Sequence, residues 1–247
     1  VYGIHPAFID APAWISAITE LLLATFSLGA IYLFMRYLEA RSALAGLLYL
    51  GSFISAVLAL GSREPGAAVF LILPAYYFLA YRSADWRQPR AWLRFAPFFA
   101  VLVAWGLLRL SVAREVASGE GATGVGKLGW HMFINVFKFC GWAIVPVFSR
   151  VGAWTPVATG IAAIAVLRVS EQLLRKGSGA ARFVVVWWYL ALLPYSTQDT
   201  WLLAGRYMYF GMTAFAVVCG MFVAWLAEAS WVASLPRLPQ WPWPAIA

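Results

Sequence analysis

Residues 43–61 read ALAGLLYLGSFISAVLALG, and this run decides the class of fold. No charged side chain lies between Arg41 and Arg63, and a helix needs about 20 apolar residues to cross a bilayer. Comparable apolar runs, bounded by charges, Gly and Pro, recur along the chain. We interpret them as spans at 13–35, 43–61, 66–81, 94–112, 152–168, 183–196 and 206–228. The sequence therefore predicts an all-α, polytopic helical membrane protein with about seven transmembrane helices.

The composition of the whole chain supports this prediction. Of its 247 residues, 63% are hydrophobic and 11% are charged, and the mean hydropathy is +0.78. Soluble domains are roughly 45–50% apolar and roughly 25% charged. These values exclude a disordered chain, an ordinary soluble enzyme and nucleic-acid binding as the main function. The net charge of +8 then indicates basic loops that face anionic membrane lipids.

The basic residues predict how the chain is oriented in the membrane. They cluster near residues 36–41, 82–94 and 168–182, and the positive-inside rule places all three clusters on the cytoplasmic side. We expect a bacterial inner membrane, with the candidate site on the non-cytoplasmic face. Only one crossing can then separate 113–128 from 168–182, although two apolar segments lie between them.

The segment 129–149 resolves this conflict if it does not cross the membrane. It contains Lys138, which would be costly facing lipid at mid-bilayer, so we interpret it as interfacial or re-entrant. The alternative is an ordinary additional span with Lys138 buried among the helices. The predicted organisation is a single helical membrane domain at 1–234, with an outer loop at 113–128, followed by a Pro- and Trp-rich extended tail at 235–247.

Two carboxylates and one basic turn near the predicted outer face are candidates for chemistry. Asp10 lies at a loop-to-helix junction, where it either serves the chemistry or caps the helix. Glu20 lies within an apolar helix, where a carboxylate is costly unless it is paired or faces water. Arg63 and Glu64 precede Pro65, which fits the first position of the next helix. Arg63 then either clamps a phosphate or forms an interfacial turn with Glu64.

Further candidates follow later in the chain. Arg206 begins the last span among aromatic residues, where it either binds phosphate or anchors the helix. A structural role suits His131 better than a functional one. No His and carboxylate have the spacing of metal ligands, so we predict no metal, and the cofactor stays unknown. The candidate catalytic residues are Asp10 and Glu20, and the candidate substrate-binding residues are His5, Arg63, Glu64, Lys138, Arg206, Tyr207 and Tyr209. Helix-to-helix charge pairing is the alternative reading of the whole set.

Three of these phrases resemble one family. They are similar to segments of the polyprenyl-phosphate-sugar-dependent glycosyltransferases of the GT-C fold, nearest to the transmembrane O-mannosyltransferases with tetratricopeptide repeats and their bacterial relatives. The resemblance is carried, in the family's order, by His5-Pro6-x-x-x-Asp10-Ala11 with Glu20-Leu21-Leu22, by Ser62-Arg63-Glu64, and by Ala204-Gly205-Arg206-Tyr207-Met208-Tyr209.

The resemblance implies an inverting sugar transfer with phosphate as the leaving group. Arg63 and Arg206 would steady the phosphate, and Asp10 and Glu20 would hold the sugar or the acceptor. The acidic residue that serves the family as catalytic base would precede Val1, so we expect this chain to bind without turnover.

Three positions depart from the family pattern. Ile18 and Gly205 stand where the family has Arg and Glu, and Arg63 stands where it has Lys. Two other functions stay open beside the glycosyltransferase relative. One is a non-catalytic subunit of a larger bioenergetic or photosynthetic membrane complex, and the other is a transporter.

Overall fold

The computed structural model describes residues 18–41, 44–81, 86–117, 129–145, 154–197 and 208–228. Every regular element in these ranges is helical, which confirms the predicted all-α class. The helices are α1 (Ile18–Glu39), α2 (Leu44–Ser62), a 3₁₀ helix (Glu64–Ala68) that leads into α3 (Val69–Tyr76) and a π-helical turn (Tyr77–Tyr81), α4 (Pro89–Leu93), α5 (Ala96–Ala117), α6 (His131–Trp142), α7 (Thr155–Lys176), α8 (Gly179–Ser196) and α9 (Tyr209–Glu228).

Four helices in the described ranges are long and apolar enough to cross a membrane. They are Ile18–Glu39, Leu44–Ser62, the composite helix Glu64–Tyr81, and Thr155–Lys176. Each overlaps a predicted span, and the other three predicted spans are helical over 96–112, 183–196 and 208–228. The protein is therefore an all-α membrane protein.

Several helices extend beyond the apolar runs that predicted them. We expected a basic loop at 168–182, but α7 continues to Lys176. Arg168 and Arg175 both pair with Glu171, three and four residues away, and such pairs support an exposed helix end. The predicted outer loop at 113–128 is also wrong in its first residues, because α5 continues to Ala117.

The outer surface of the helices is apolar. Large side chains such as Leu47, Leu107, Phe133 and Ile161 are each more than 60% exposed. A water-soluble monomer rarely shows so much contiguous apolar surface, whereas helices in a bilayer present such surface to lipid.

Small residues bring α1 and α2 close together. Gly29 faces Ser55, Gly51 faces Leu33, and Ser52 Oγ donates a hydrogen bond to the carbonyl of Ala30 at 2.8 Å. Small residues at helix contacts, with hydroxyls bonded across the interface, are typical of membrane helix packing.

The described parts of the three basic clusters lie at one end of the molecule, the basic end. Tyr81 Oη donates to the carbonyl of Leu38 at 2.6 Å, and the guanidinium of Arg94 lies over the ring of Tyr37. A Cβ on Gly179 would lie 2.1 Å from the carbonyl oxygen of Leu79, so α8 starts at this same end. The C-terminus of α8, the start of α1 and the turn after α2 meet at the opposite end.

Helix α6 is short. Its 12 residues span about 18 Å at 1.5 Å per residue, well below the roughly 30 Å of a bilayer core. Residues 146–149 lie outside the described ranges, so the interfacial or re-entrant character of the whole segment 129–149 stays a prediction.

Candidate ion-pair site

Glu20 is the centre of the candidate site. Its side chain is completely buried, at 0% exposure, in the first turn of α1. Oε1 accepts a hydrogen bond from Arg63 Nη1, and Oε2 accepts one from Tyr195 Oη at 2.7 Å. A buried carboxylate needs such partners because an isolated buried charge is very costly. The contacts therefore tie together α1, the turn after α2, and α8.

The local backbone presents Arg63 to this carboxylate. Arg63 is extended (φ −166°, ψ 150°) and precedes a 3₁₀ helix with Pro65 at its start, as the sequence predicted. Gly66 makes the tight return possible, because a Cβ there would lie 2.3 Å from the carbonyl oxygen of Ala59. The chain therefore folds back closely onto the end of α2. The Arg63 side chain keeps 30% exposure beside the fully buried Glu20.

A second ion pair lies next to the first in the chain. Glu64, adjacent to Arg63, pairs with Arg109 of α5, and their side chains are 48% and 47% exposed. Among the described residues at this end, two arginines thus accompany two carboxylates. The Glu64–Arg109 pair is accessible, so an external anion can compete for Arg109 far more easily than for the buried side of Arg63.

Helix α6 packs at the same end of the molecule and contacts the C-terminus of α8. Asn135 is buried and donates a hydrogen bond from Nδ2 to the carbonyl of Ser196 at 2.9 Å, next to Tyr195. His131 Nε2 lies 3.4 Å from the carbonyl oxygen of Thr197. These side chains satisfy carbonyls that the helix end leaves without intrahelical partners. This contact agrees with the structural role expected for His131.

The structure brings together some of the predicted residues. Glu20, Arg63 and Glu64 lie at one end, linked through their ion pairs. Lys138 is half-buried on α6, and no contact in the described ranges joins it to the ion pairs. Tyr209 is the first residue of α9. The predicted residues His5, Asp10, Arg206 and Tyr207, most of the loop 113–128, and the tail 235–247 lie outside the described residues.

Sequence analysis missed two members of the site. Arg109 could have been found from the sequence, because a charged residue inside a predicted span is costly unless it is paired. Tyr195 could not, since it is one of 11 tyrosines in the chain and follows a helix-internal proline, Pro194. Its hydroxyl reaches Glu20 only because α8 packs against the 3₁₀ helix and α3, which also contact α1.

The chain matches no protein-family model, no curated protein and no solved structure. The fold and the site together define a polytopic helical membrane protein with a buried, charge-paired carboxylate at one end.

Proposed function

We propose that the protein binds a lipid-linked phosphate, of the class of the polyprenyl-phosphate sugars, at the end that carries Glu20 and Arg63. The single observation that carries the proposal is that Arg63 is bonded to the buried Glu20 and is still partly exposed. Its guanidinium donates to the buried Glu20, and the Arg63 side chain as a whole keeps 30% exposure. A fixed planar guanidinium is well suited to phosphate oxygens, which it can bind in a bidentate manner.

Arg109 supplies a second cation to the proposed site. Its partner Glu64 is half-exposed, and exposed ion pairs contribute only about 0–1 kcal/mol. An arriving phosphate would therefore take the place of Glu64 on Arg109 at little cost. The resemblance of the Glu20, Arg63 and Arg206 motifs to the GT-C glycosyltransferases supports polyprenyl-phosphate sugars as the ligand class. It also supports a bacterial inner membrane, with the site on the non-cytoplasmic face.

The geometry favours binding over catalysis by Glu20. A general base must reach the hydroxyl from which it takes a proton. Both oxygens of Glu20 are engaged, and the side chain has no exposed surface. Glu20 thus acts as a positioning residue for Arg63 in this proposal, and a catalytic role for Asp10 stays a prediction.

The second candidate is a non-catalytic subunit of a larger membrane complex. The observation that favours it is that Arg63 and Arg109, the arginines that the structure describes at this end, each already have a carboxylate partner. Charge pairing between helices is a complete structural role, and it needs no ligand.

A binding measurement separates the two candidates. The full chain in nanodiscs of neutral phosphatidylcholine is titrated with decaprenyl phosphate, and with decaprenol as the uncharged control. We expect Arg109→Gln to weaken binding about tenfold or more, because a hydrogen bond to a charged group contributes about 1.5–3 kcal/mol. Arg36→Gln is the matched control, since Arg36 also forms an exposed pair, with Glu39, but at the basic end.

The double variant Glu20→Gln with Arg63→Gln tests the central pair without leaving a lone buried charge. We expect it to fold and to bind decaprenyl phosphate at least tenfold more weakly than the wild type. Equal affinity of the wild type for decaprenyl phosphate and decaprenol would reject the proposal and leave the subunit as the remaining candidate.

A further inference from the structure

We propose that the basic end of the protein holds a second, separate site, which binds the phosphate of an anionic headgroup in a cavity beside Arg94. The cavity has a volume of about 270 Å³ and is lined by Tyr37, Leu38, Ala40, Tyr77, Tyr81 and Arg94. Pockets for drug-sized molecules run from about 300 to 1,000 Å³. The cavity is therefore the size of a headgroup rather than of a whole lipid.

Arg94 brings a positive charge to this cavity. No carboxylate in the described ranges pairs with it, unlike Arg36, Arg63, Arg109, Arg168 and Arg175. Its Nε is buried and has no hydrogen-bond partner there. A phosphate that accepts from the terminal Nη atoms would give the guanidinium further partners and neutralise its charge.

Aromatic rings hold the guanidinium in place. Its central carbon lies 4.6 Å from the ring centroid of Tyr77 and 5.9 Å from that of Tyr37. Cation–π contacts of this kind orient the charged plane. Tyr49 Oη donates to the Arg94 carbonyl at 2.6 Å and so fixes the backbone of the same residue.

The π-helical turn contributes Tyr77 and Tyr81 to the wall of the cavity. It follows Pro74, which lacks the backbone N–H of a regular helix. The wider turn stacks Tyr77 and Tyr81, with 6.1 Å between ring centroids and 27° between planes. Tyr81 also donates its hydroxyl to the carbonyl of Leu38. Since π turns are often found at functional sites, this wall is consistent with a site built to stay open.

The surrounding charge favours an anion at this end. The described residues near it include only the acids Glu39 and Glu171 against a majority of cations. The cations are Arg36, Arg41, Arg87, Arg90, Arg94, Arg168, Arg175, Lys176 and Arg182. Basic pockets between transmembrane helices bind anionic lipid headgroups. A phosphatidylglycerol headgroup and a free phosphate share the chemistry that Arg94 would recognise.

Lipid retention tests the proposal. The full chain is released from nanodiscs that contain equal amounts of phosphatidylglycerol and phosphatidylcholine, and the lipids that stay bound are counted by native mass spectrometry. We expect the wild type to retain one phosphatidylglycerol, and Arg94→Gln to lose at least tenfold in apparent affinity. Arg90→Gln is the matched control, because Arg90 is an exposed neighbour on α4 that does not line the cavity. It should retain phosphatidylglycerol as the wild type does.

Two further arms keep the test decisive. Arg94→Lys keeps the charge but not the bidentate fork, so we expect an intermediate loss of affinity, and this variant replaces Arg94→Gln if the latter does not fold. Inorganic phosphate is added to delipidated protein, and its ³¹P line width is measured. Broadening that Arg94→Lys reduces, without lipid retention, would support the site with free phosphate as its ligand. No preference for phosphatidylglycerol and no ³¹P broadening in the wild type would overturn the proposal.

Discussion

Glu20 and Arg63 form an ion pair that joins α1 to the turn between α2 and the 3₁₀ helix, and the two partners differ sharply in exposure. The Glu20 side chain is 0% exposed, whereas that of Arg63 is 30% exposed. The carboxylate depends on the guanidinium, while the guanidinium can still reach the surface of the protein. Because of this difference in exposure, we expect a substitution of Arg63 and a substitution of Glu20 to destabilise the protein by different amounts.

We predict that Arg63→Ala destabilises the protein more than Glu20→Ala does. Arg63→Ala leaves a fully buried carboxylate without its cation, which should cost about 3–5 kcal/mol. Glu20→Ala leaves a cation that can extend towards headgroups or water, so we expect less than half of that cost. Unfolding of both variants in mixed micelles gives the two values. Equal losses would contradict the greater dependence of the buried carboxylate on its partner.

Tyr195→Phe should cost about 1.5–3 kcal/mol, the contribution of a hydrogen bond to a charged group. The hydroxyl that it removes donates to Glu20 Oε2 at 2.7 Å. Tyr32→Phe is the control, because the Tyr32 side chain is 62% exposed on the same helix as Glu20. We expect Tyr32→Phe to stay within about 0.5 kcal/mol of the wild type. Similar losses in the two variants would remove Tyr195 from the site.

Gly66→Ala should destabilise the protein by about 1–3 kcal/mol, as overpacking does. The added Cβ would lie 2.3 Å from the carbonyl oxygen of Ala59, which is backbone and cannot rotate away. Gly61→Ala, five residues earlier, meets no atom within 4 Å and should be close to neutral in the same thermal unfolding assay. If Gly66→Ala were as stable as Gly61→Ala, the tight return that positions Arg63 would be wrong.

Single-cysteine labelling should place the basic end and the ion-pair end on opposite sides of the membrane. The background chain has Cys140 and Cys219 replaced by alanine, and cysteines are introduced at Arg41, Arg90, Lys176 and Glu64, which are all exposed. We expect a membrane-impermeant maleimide to reach the first three from one side and Glu64 from the other. Labelling of Glu64 together with Arg90 would contradict the topology.

Much of the fold could be predicted because apolar length and charge placement are local properties. The run at 43–61 corresponds to α2 within one residue at each end. The end of α7 could not be placed in this way. Hydropathy alone predicts a basic loop from residue 168 onwards, whereas pairing of Glu171 with Arg168 and Arg175 supports a continued helix.

The residues of the site could be predicted only where a single segment of sequence places a charged residue within or beside an apolar run. Glu20 and Arg63 stood out because each interrupts or borders an apolar run. Their mutual contact spans 43 residues, and the tyrosine that completes it lies in a helix with no polar pattern of its own. The cavity beside Arg94 depends on a π-helical turn, and no periodicity in the sequence predicts that turn.

The burial of Glu20 has a consequence for how the protein is made. Its guanidinium partner emerges from the ribosome 43 residues later and its tyrosine partner 175 residues later. Helix α1 therefore enters the membrane before either of these two partners of its carboxylate has been made. During synthesis the turn after α2 supplies the first of these partners. Helix α8 supplies the second only when most of the chain has been translated. A nascent chain arrested between these two points should keep α1 within reach of the insertion machinery, where a photo-crosslinker beside Glu20 would detect it.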